Sequence, residues 1–254
     1  KVERDVYVYR SYIELGSYEM VLSEVTPSSP PPLTAVRWLA QHHRHPDSRP
    51  SLLEEARAAA TDPSTAPDAT VLLMAATLLV LEDCRPEAMR LCHAVPDLEL
   101  LALSVQTALS MHRPDAALAD VAAMSALDDD ATLTQLASAW TGLALGGRHV
   151  QEAWHALHDL GDRHGWTVRM HVTLAAAAMR MGRWEDAEGE LLQAFEKNPK
   201  DADALANLAV VCVHLGKPNS RYVALLRDAA PSHPFVVRAD AHAAAFDKAA
   251  GVAA

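Results

Sequence analysis

The stretch Met181-Gly182-Arg183-Trp184-Glu185-Asp186-Ala187 decides the fold of this chain. Its glycine recurs 34 residues later as Gly216, and its final alanine is matched 34 residues earlier by Ala153. A period of this length, with small residues at fixed places around a helix–turn–helix, is typical of tetratricopeptide repeats. Such repeats stack into a wall that holds another protein. The pattern therefore predicts a binding scaffold.

Composition favours helices throughout. Half of the 254 residues are hydrophobic, yet only 5% are aromatic, and alanine and leucine are abundant. Small and unbranched side chains suit close-packed helices, and runs rich in Val, Ile, Tyr and Phe are missing. We therefore predict an all-α, tetratricopeptide-repeat-like α-solenoid of about seven helix pairs plus a C-terminal helix. We expect residues 1–254 to form a single helical-repeat domain.

Short segments of Gly, Pro and Asp divide the chain into predicted helix pairs. Loops between pairs are expected at 26–32 and 62–67. The chain opens at Lys1 inside a helical unit, so we expect the N-terminal repeat to be incomplete. The predicted pairs are 1–15 with 17–25, 31–44 with 49–60, 67–82 with 85–94, 96–111 with 114–126, 130–145 with 149–161, 166–181 with 184–197 and 201–215 with 218–229, followed by a last helix at 233–249.

Charge and cysteine content exclude several classes of protein. The net charge is −11, and no cluster of Lys and Arg exists that could neutralise phosphates, so we expect no nucleic-acid partner. The longest strongly apolar run, 71–81, is too short for a membrane span, which needs about 20 residues. Scattered Cys84, Cys92 and Cys212 predict neither a disulfide framework nor a zinc site and suit a reducing cytosol.

No pattern points to catalysis or to a cofactor. The chain has no G-x-S-x-G, no phosphate-binding glycine loop and no H-E-x-x-H. We interpret His42, His43 and His45 as solvated residues near a helix C-terminus, where imidazolium is favoured. The acidic run 128–130 is interpreted as a turn and helix cap. Most tryptophans are interpreted as packing residues. We expect no catalytic residue, no metal and no cofactor.

The most specific block is Asp128 to Trp140, which reads DDDATLTQLASAW. A general repeat does not require Thr132, Thr134 and Gln135 in that order. On this block the chain resembles the epsilon subunits of the COPI vesicle coat, over essentially its whole length, and it departs from them at 42–66. Further matching stretches are Glu3–Val6, Leu72–Ala76, Gly182–Gly189, His214–Pro218 and Ser232–Phe235.

This resemblance implies a non-enzymatic structural subunit of coatomer, the coat of vesicles that move from the Golgi to the endoplasmic reticulum and within the Golgi. It implies that the chain binds and stabilises the C-terminal domain of alpha-COP directly. Beta-prime-COP and the rest of coatomer are implied as members of the same complex. The expected location is the cytoplasm, peripheral on Golgi membranes and coated vesicles, with attachment only through the coat and an Arf-type GTPase.

The first helix of each pair lines the inner surface of such an array, so its non-core positions are candidates for partner contact. The predicted set is more apolar and neutral than charged. Apolar burial contributes about 25 cal/mol per Å², which favours a long-lived interface. The predicted contact residues are Gln106, Leu109, Gln135, Ser138, Arg169, Val172, Ala176, Met179, Arg180, Ala206, Val210 and Val213.

The alternative is a co-chaperone or adaptor module that captures a C-terminal peptide. Such modules resemble one another in carrying Lys and Asn on their inner helices to clamp the carboxylate. Here Asn207 is the only such residue, and the net-negative chain suits an acidic peptide poorly. A third hypothesis, a metal-dependent hydrolase, lacks a ligand set.

Overall fold

The computed structural model describes residues 1–62, 64 and 68–253, and within these ranges the chain forms fifteen α-helices, one 3-10 turn at Pro46–Ser48 and no strand. Most of the loop predicted at 62–67 lies outside the described residues. Helices α1 to α15 cover, in order, Val2–Glu14, Tyr18–Glu24, Pro31–Arg44, Arg49–Thr61, Ala69–Leu81, Arg85–Cys92, Leu98–Ser110, Pro114–Asp128, Thr132–Leu145, Arg148–His164, Val168–Arg180, Trp184–Lys197, Ala202–His214, Ser220–Ala229 and Pro234–Ala253.

The predicted helix pairs are confirmed, and their bounds agree within a few residues. Helices α3 and α12 begin and end where the sequence places them, at 31–44 and 184–197. The last helix runs to Ala253, four residues beyond the prediction. Asp and Thr side chains cap the starts of α5, α7, α11 and α13 by accepting backbone N–H groups of the first turn.

The quoted stretch forms the turn that ends α11. Gly182 has a φ of 73°, in the left-handed region that favours glycine. Its N–H donates to the carbonyl of Met179, and the N–H of Arg183 donates to the carbonyl of Ala178. These two bonds satisfy carbonyls that the last turn of the helix leaves unpaired. The chain then reverses directly into α12.

The same turn recurs at four further inner-helix ends, and two of them carry no glycine. Gly16, Asp83, His112 and Gly216 all have positive φ, with Asp83 at 61° and His112 at 57°. In each case the N–H of the following residue bonds to the carbonyl five positions before it. Left-handed backbone costs an L-residue roughly 1 to 2 kcal/mol. At Asp83 and His112 the turn therefore keeps the hydrogen bonds of the repeat although the glycine is absent.

The chain divides into two compact units, Lys1–Ala137 and Ser138–Ala254. In unit 1, Lys1–Ala137, helices α1, α3, α5 and α7 pack in succession, and α2, α4, α6 and α8 each pack against one or both of their neighbours in the chain. Helix α5 is central to this unit, because eight of its 13 residues are buried. The prediction of a single domain stays a prediction.

In unit 2, Ser138–Ala254, helices α10 to α14 each pack against the next, and α11 also packs against α13. One apolar cluster joins α11, α12 and α13 around Ala178, Leu191 and Leu208. A second joins α13, α14 and α15 around Leu205, Leu226 and Val236. Among the described helices of the chain, none is long and apolar enough to cross a membrane.

Candidate partner-binding surfaces

Unit 1 contains a groove of about 760 Å³. Its sides are inner helices of successive pairs. Met74 and Ala102 are buried at its base, whereas Tyr7 is 53% exposed and Leu15 is 76% exposed at its rim. Large apolar side chains collected around a groove mark an interaction site. The lining residues are Tyr7, Arg10, Ser11, Ile13, Glu14, Leu15, Leu39, Leu73, Met74, Thr77, Glu99, Ala102, Leu103, Gln106 and Leu133.

Helix α1 and Leu15, which directly follows it, supply the exposed rim, because this segment carries more apolar residues than its buried side can hold. Val6 and Ile13, seven positions apart, are buried on one side of the helix. Tyr7 and Leu15 lie beyond that stripe and border the groove. None of the α1 residues was among the predicted contacts. The signal that could have found them is the excess of large apolar residues in Val6–Leu15.

An ion pair crosses unit 1 beside the groove. The guanidinium of Arg10 on α1 donates to Oε2 of Glu99 on α7 at 2.7 Å. Helix α1 packs against α3, and α7 packs against α5 and α6. The pair therefore joins two helices that are not neighbours in the inner row. Both side chains are about one-third exposed, and such pairs contribute only about 0 to 1 kcal/mol.

The predicted contacts of unit 1 are only partly brought together. Gln106 is exposed and lines the groove. Leu109 and Gln135 are half-buried and are not among the lining residues.

The predicted contacts of unit 2 differ in exposure: one is buried, four are half-buried and four are exposed. Ala206 is 7% exposed and packs into the cluster with Leu205 and Leu226, so it serves the core. Val172 and Met179 pack at the edge of the other cluster and are half-buried. Ala176 and Val210 are also half-buried, and the exposed members are Ser138, Arg169, Arg180 and Val213.

The interpretation of three solvated histidines is wrong for His42. Its side chain is buried, and its Nε2 lies 2.7 Å from Oε1 of Glu82, just after α5. Packing of the end of α3 against the end of α5 encloses the ring, which no local pattern could show. His43 and His45 are exposed, as predicted. Partial burial lowers the pKa of His43, and the charges of His42 and Arg49 act in the same direction, so the expectation that its imidazolium is favoured is wrong.

A second buried histidine occupies unit 2. Nδ1 of His171 lies 2.8 Å from Oε2 of Glu190 on α12, and the ring stacks on Trp166 at a centroid distance of 5.0 Å. Trp166 in turn covers Gly161, where an added Cβ would lie 2.8 Å from the indole. His171 therefore links α11 to α12. Among the described residues no three potential ligands gather to hold a metal ion.

Ser104, Asp120 and His93 form a group with the same residue types as a hydrolase triad, but both the serine and the histidine make their short contacts with the aspartate. The Ser104 hydroxyl donates to Oδ2 of Asp120 at 2.6 Å, and Nε2 of His93 meets Oδ1 of the same carboxylate at 2.7 Å. A nucleophilic serine needs the histidine as its base, whereas the Ser104 hydroxyl lies 3.5 Å from Nε2 of His93, much further than from Asp120. Ser104 is also fully buried, so a substrate cannot reach it. The group links the residue that follows α6 to α7 and α8.

Comparison with known proteins decides the family. The family model described as "Coatomer epsilon subunit" matches residues 1–253. The chain belongs to the coatomer epsilon subunit family. It is 40% identical over 238 residues to coatomer subunit epsilon-1 of Arabidopsis thaliana. The matched stretch covers 94% of this chain and 82% of the Arabidopsis protein. Coatomer subunit epsilon of Caenorhabditis elegans is 30% identical over 98% of this chain and 87% of its own length.

Solved structures confirm the fold of this coatomer epsilon family member. A tetratricopeptide repeat protein from Parabacteroides merdae aligns with a TM-score of 0.66 at 12% identity, over 91% of this chain and 93% of its own. A chain of the APC/C hetero-tetramer Cut9–Hcn1 aligns with a TM-score of 0.68 at 13% identity, over 91% of this chain and 46% of its own. The predicted all-α, tetratricopeptide-repeat-like architecture is confirmed.

Membership of the coatomer epsilon subunit family also settles the general role. The chain is a structural subunit of the COPI coat and belongs to the coatomer complex. The prediction of a non-enzymatic structural subunit is confirmed by this family.

Proposed function

We propose that the chain binds and stabilises the C-terminal domain of alpha-COP and that the groove of unit 1 receives part of that domain. The observation that carries the proposal is the exposure of Tyr7 and Leu15 beside a groove with a buried apolar base. Aromatic and large apolar side chains in a pocket are the usual sources of affinity in protein interfaces. A scaffold subunit gains from a long-lived contact of this kind.

The wider assembly follows from the same proposal. Beta-prime-COP and the other coatomer subunits join through the complex, and an Arf-type GTPase brings the coat to the membrane. The chain then acts in Golgi-to-endoplasmic-reticulum and intra-Golgi transport while peripheral on Golgi membranes and coated vesicles. The net charge of −11 supports indirect attachment, because an acidic surface is repelled by anionic lipid.

The exposed predicted residues of unit 2 provide a second, smaller contact in this proposal. Arg169 and Arg180 lie on α11, and Val213 lies on α13. Val213 is 62% exposed. We assign these residues a minor share, because the remaining apolar side chains of these helices are largely occupied by the unit's own clusters.

The alternative adaptor function gains no support from the inner helices of unit 2. Helices α11 and α13 contain no lysine, and Asn207 is half-buried beside core residue Ala206. The exposed cations of α11 are Arg169 and Arg180, and the Lys and Asn pattern expected of such modules is missing from both helices.

The experiment mixes the purified chain with the alpha-COP C-terminal domain and measures the affinity calorimetrically. We expect association at micromolar concentrations or below, and a higher melting temperature for the mixture. The double variant Tyr7→Ala/Leu15→Ala should weaken binding by at least about 30-fold, because it removes a tyrosine, a residue type enriched among hot spots, and the apolar area that a leucine buries.

The matched control is Leu118→Ala. Leu118 is an exposed leucine on α8 of the same unit, and it is not among the groove-lining residues. It should leave the affinity unchanged. Absence of any complex between the wild-type proteins would overturn the partner assignment. Equal losses in the control and the double variant would overturn the groove. Binding of a free C-terminal peptide that depends on its terminal carboxylate would favour the adaptor.

A further inference from the structure

A second space of about 540 Å³ adjoins the groove in unit 1, and we call it the acidic chamber. Tyr7, Arg10, Leu73 and Glu99 line both spaces. The Arg10–Glu99 ion pair therefore stands where the groove meets the acidic chamber. A segment that fills both spaces has to pass this pair.

The acidic chamber carries an excess of negative charge. Glu3, Asp68, Asp97 and Glu99 line it, and Arg10 is the one basic side chain among its lining residues. Each helix N-terminus carries about +0.5 charge, and the starts of α1, α3, α5 and α7 all line the chamber, so together they offset roughly two carboxylates. Arg10 offsets another. An excess of roughly one negative charge remains.

Two of these carboxylates are held in fixed positions. Oδ1 of Asp68 accepts the N–H groups of Thr70 and Val71 at 2.9 and 3.2 Å. Oδ1 of Asp97 accepts the corresponding N–H groups at the start of α7 at 2.9 and 3.1 Å. Because the caps fix the side chains, the chamber is organised before any cation arrives, which lowers the entropic cost of binding one.

The groove beyond the ion pair has the opposite character. Its lining is dominated by Ile13, Leu39, Met74, Leu103 and Leu133. Unit 1 thus places an apolar space beside an acidic one, separated by a weak ion pair.

We propose that the partner segment bound in the groove carries apolar side chains followed by a lysine or arginine, an inference that rests on the proposed function. The apolar side chains occupy the groove, and the cation enters the acidic chamber and replaces Arg10 as the partner of Glu99. A segment that fills both spaces separates Arg10 from Glu99 as it passes. The incoming cation then keeps Glu99 paired once the partner excludes water, since an unpaired carboxylate there opposes binding. Arg10 is displaced towards solvent.

The test changes the two halves of the ion pair separately and measures the affinity for the alpha-COP C-terminal domain. Arg10→Gln removes the competitor of the incoming cation, so affinity should rise by about two- to fivefold. Glu99→Gln removes the group that receives the cation, so affinity should fall by about three- to tenfold. The control Arg4→Gln removes a positive charge from the exposed Arg4–Asp5 pair of α1, outside both spaces, and should have little effect.

A charge-swapped double variant separates this role from a purely structural one. Arg10→Glu with Glu99→Arg can form the ion pair again in reverse, and a structural role predicts restored binding. The exchange mechanism predicts weak binding, because the partner's cation then faces a guanidinium on α7. Melting temperatures of all variants verify that each one is folded.

Two outcomes would overturn the inference. If Arg10→Gln and Glu99→Gln shift the affinity in the same direction, the pair acts only on the stability of unit 1. If the swapped variant binds as the wild type does, no cation is exchanged. In both outcomes the wild type still binds, so the proposed function survives. Failure of the wild type to bind overturns both proposals.

Discussion

Unit 1 leaves large apolar side chains at the surface of its inner helices, whereas unit 2 covers most of its own. Tyr7 and Leu15 border an open groove in unit 1. Val172 and Met179 occupy comparable inner-helix positions in unit 2 but pack against its core cluster. Repeat proteins bind their partners on the extended concave surface that stacked repeats create, so apolar side chains left exposed on inner helices are available to a partner. The difference therefore points to unit 1 as the main binding surface.

The turns of the two units differ as well. Unit 2 ends α11 and α13 with Gly182 and Gly216, whereas unit 1 has Gly16 after α1 but Asp83 and His112 after α5 and α7, all in the same left-handed conformation. The glycine of the repeat is therefore lost only in unit 1, while its turn geometry is kept in both units.

The largest effect on stability is expected from close packing in unit 2. Gly161→Ala places a Cβ 2.8 Å from the Trp166 indole, and overpacking of this kind costs about 1 to 3 kcal/mol, partly offset by about 1 kcal/mol of better helix propensity. We expect a net loss of up to about 2 kcal/mol in the free energy of unfolding, measured in urea.

Gly189→Ala is the matched control, because an added Cβ there meets no atom within 4 Å. This substitution should stabilise α12 by up to about 1 kcal/mol. Equal effects from the two alanines would contradict the packing of Trp166 on α10.

The turn comparison gives a smaller effect, of opposite sign in the two units. Gly182→Ala in unit 2 puts a Cβ on left-handed backbone and should destabilise by about 1 kcal/mol. His112→Gly in unit 1 removes the same strain and should stabilise by up to about 1 kcal/mol, less the added entropy of the unfolded chain. Thermal melts of the two variants test this, and stabilisation by Gly182→Ala would refute the shared turn.

Thiol labelling perturbs the protein least, because the rates at which its own cysteines react report how accessible each thiol is in each unit. Burial, with the charge of Asp120, raises the pKa of Cys92 in unit 1 to about 12. Burial, followed by the charge of Glu188, also raises the pKa of Cys212 in unit 2. Cys84 is half-buried, so we expect it to react first with a thiol reagent at pH 8. Mass spectrometry of the labelled peptides gives the order.

The sign of the pH effect follows from these raised pKa values. A folded-state pKa above that of the unfolded chain stabilises fully below the unfolded value and loses that contribution as pH rises through the folded value. The contribution of Cys92 is therefore complete at neutral pH and declines between pH 9 and about 12. Fast labelling of Cys92 at pH 8 would show that unit 1 opens readily.

The sequence is sufficient for features set by local chemistry. Helix α12 is predicted to the residue because a glycine turn starts it and its apolar positions recur with the helical period. The turn at Gly182 is likewise local, since only glycine adopts that backbone freely. The family could also be identified, because the block 128–140 combines residues that a general repeat does not need.

Features that depend on distant segments could not be predicted. Arg10 and Glu99 lie 89 positions apart, and nothing in either helix indicates their meeting. His42 has the polar sequence surroundings of an exposed residue, yet packing against the end of α5 buries it. The left-handed turn at His112 is hidden because its hydrogen bonds survive without the glycine that announces them.

The measurement that tests the central claim most directly is hydrogen–deuterium exchange of the chain, free and bound to the alpha-COP C-terminal domain. Binding in the groove of unit 1 predicts slower exchange in α1 and α7, with the largest change in peptides that contain Tyr7 and Gln106, and weaker protection in α11 and α13. Protection confined to α11 and α13, with α1 and α7 unchanged, would contradict the assignment of the main binding surface to unit 1.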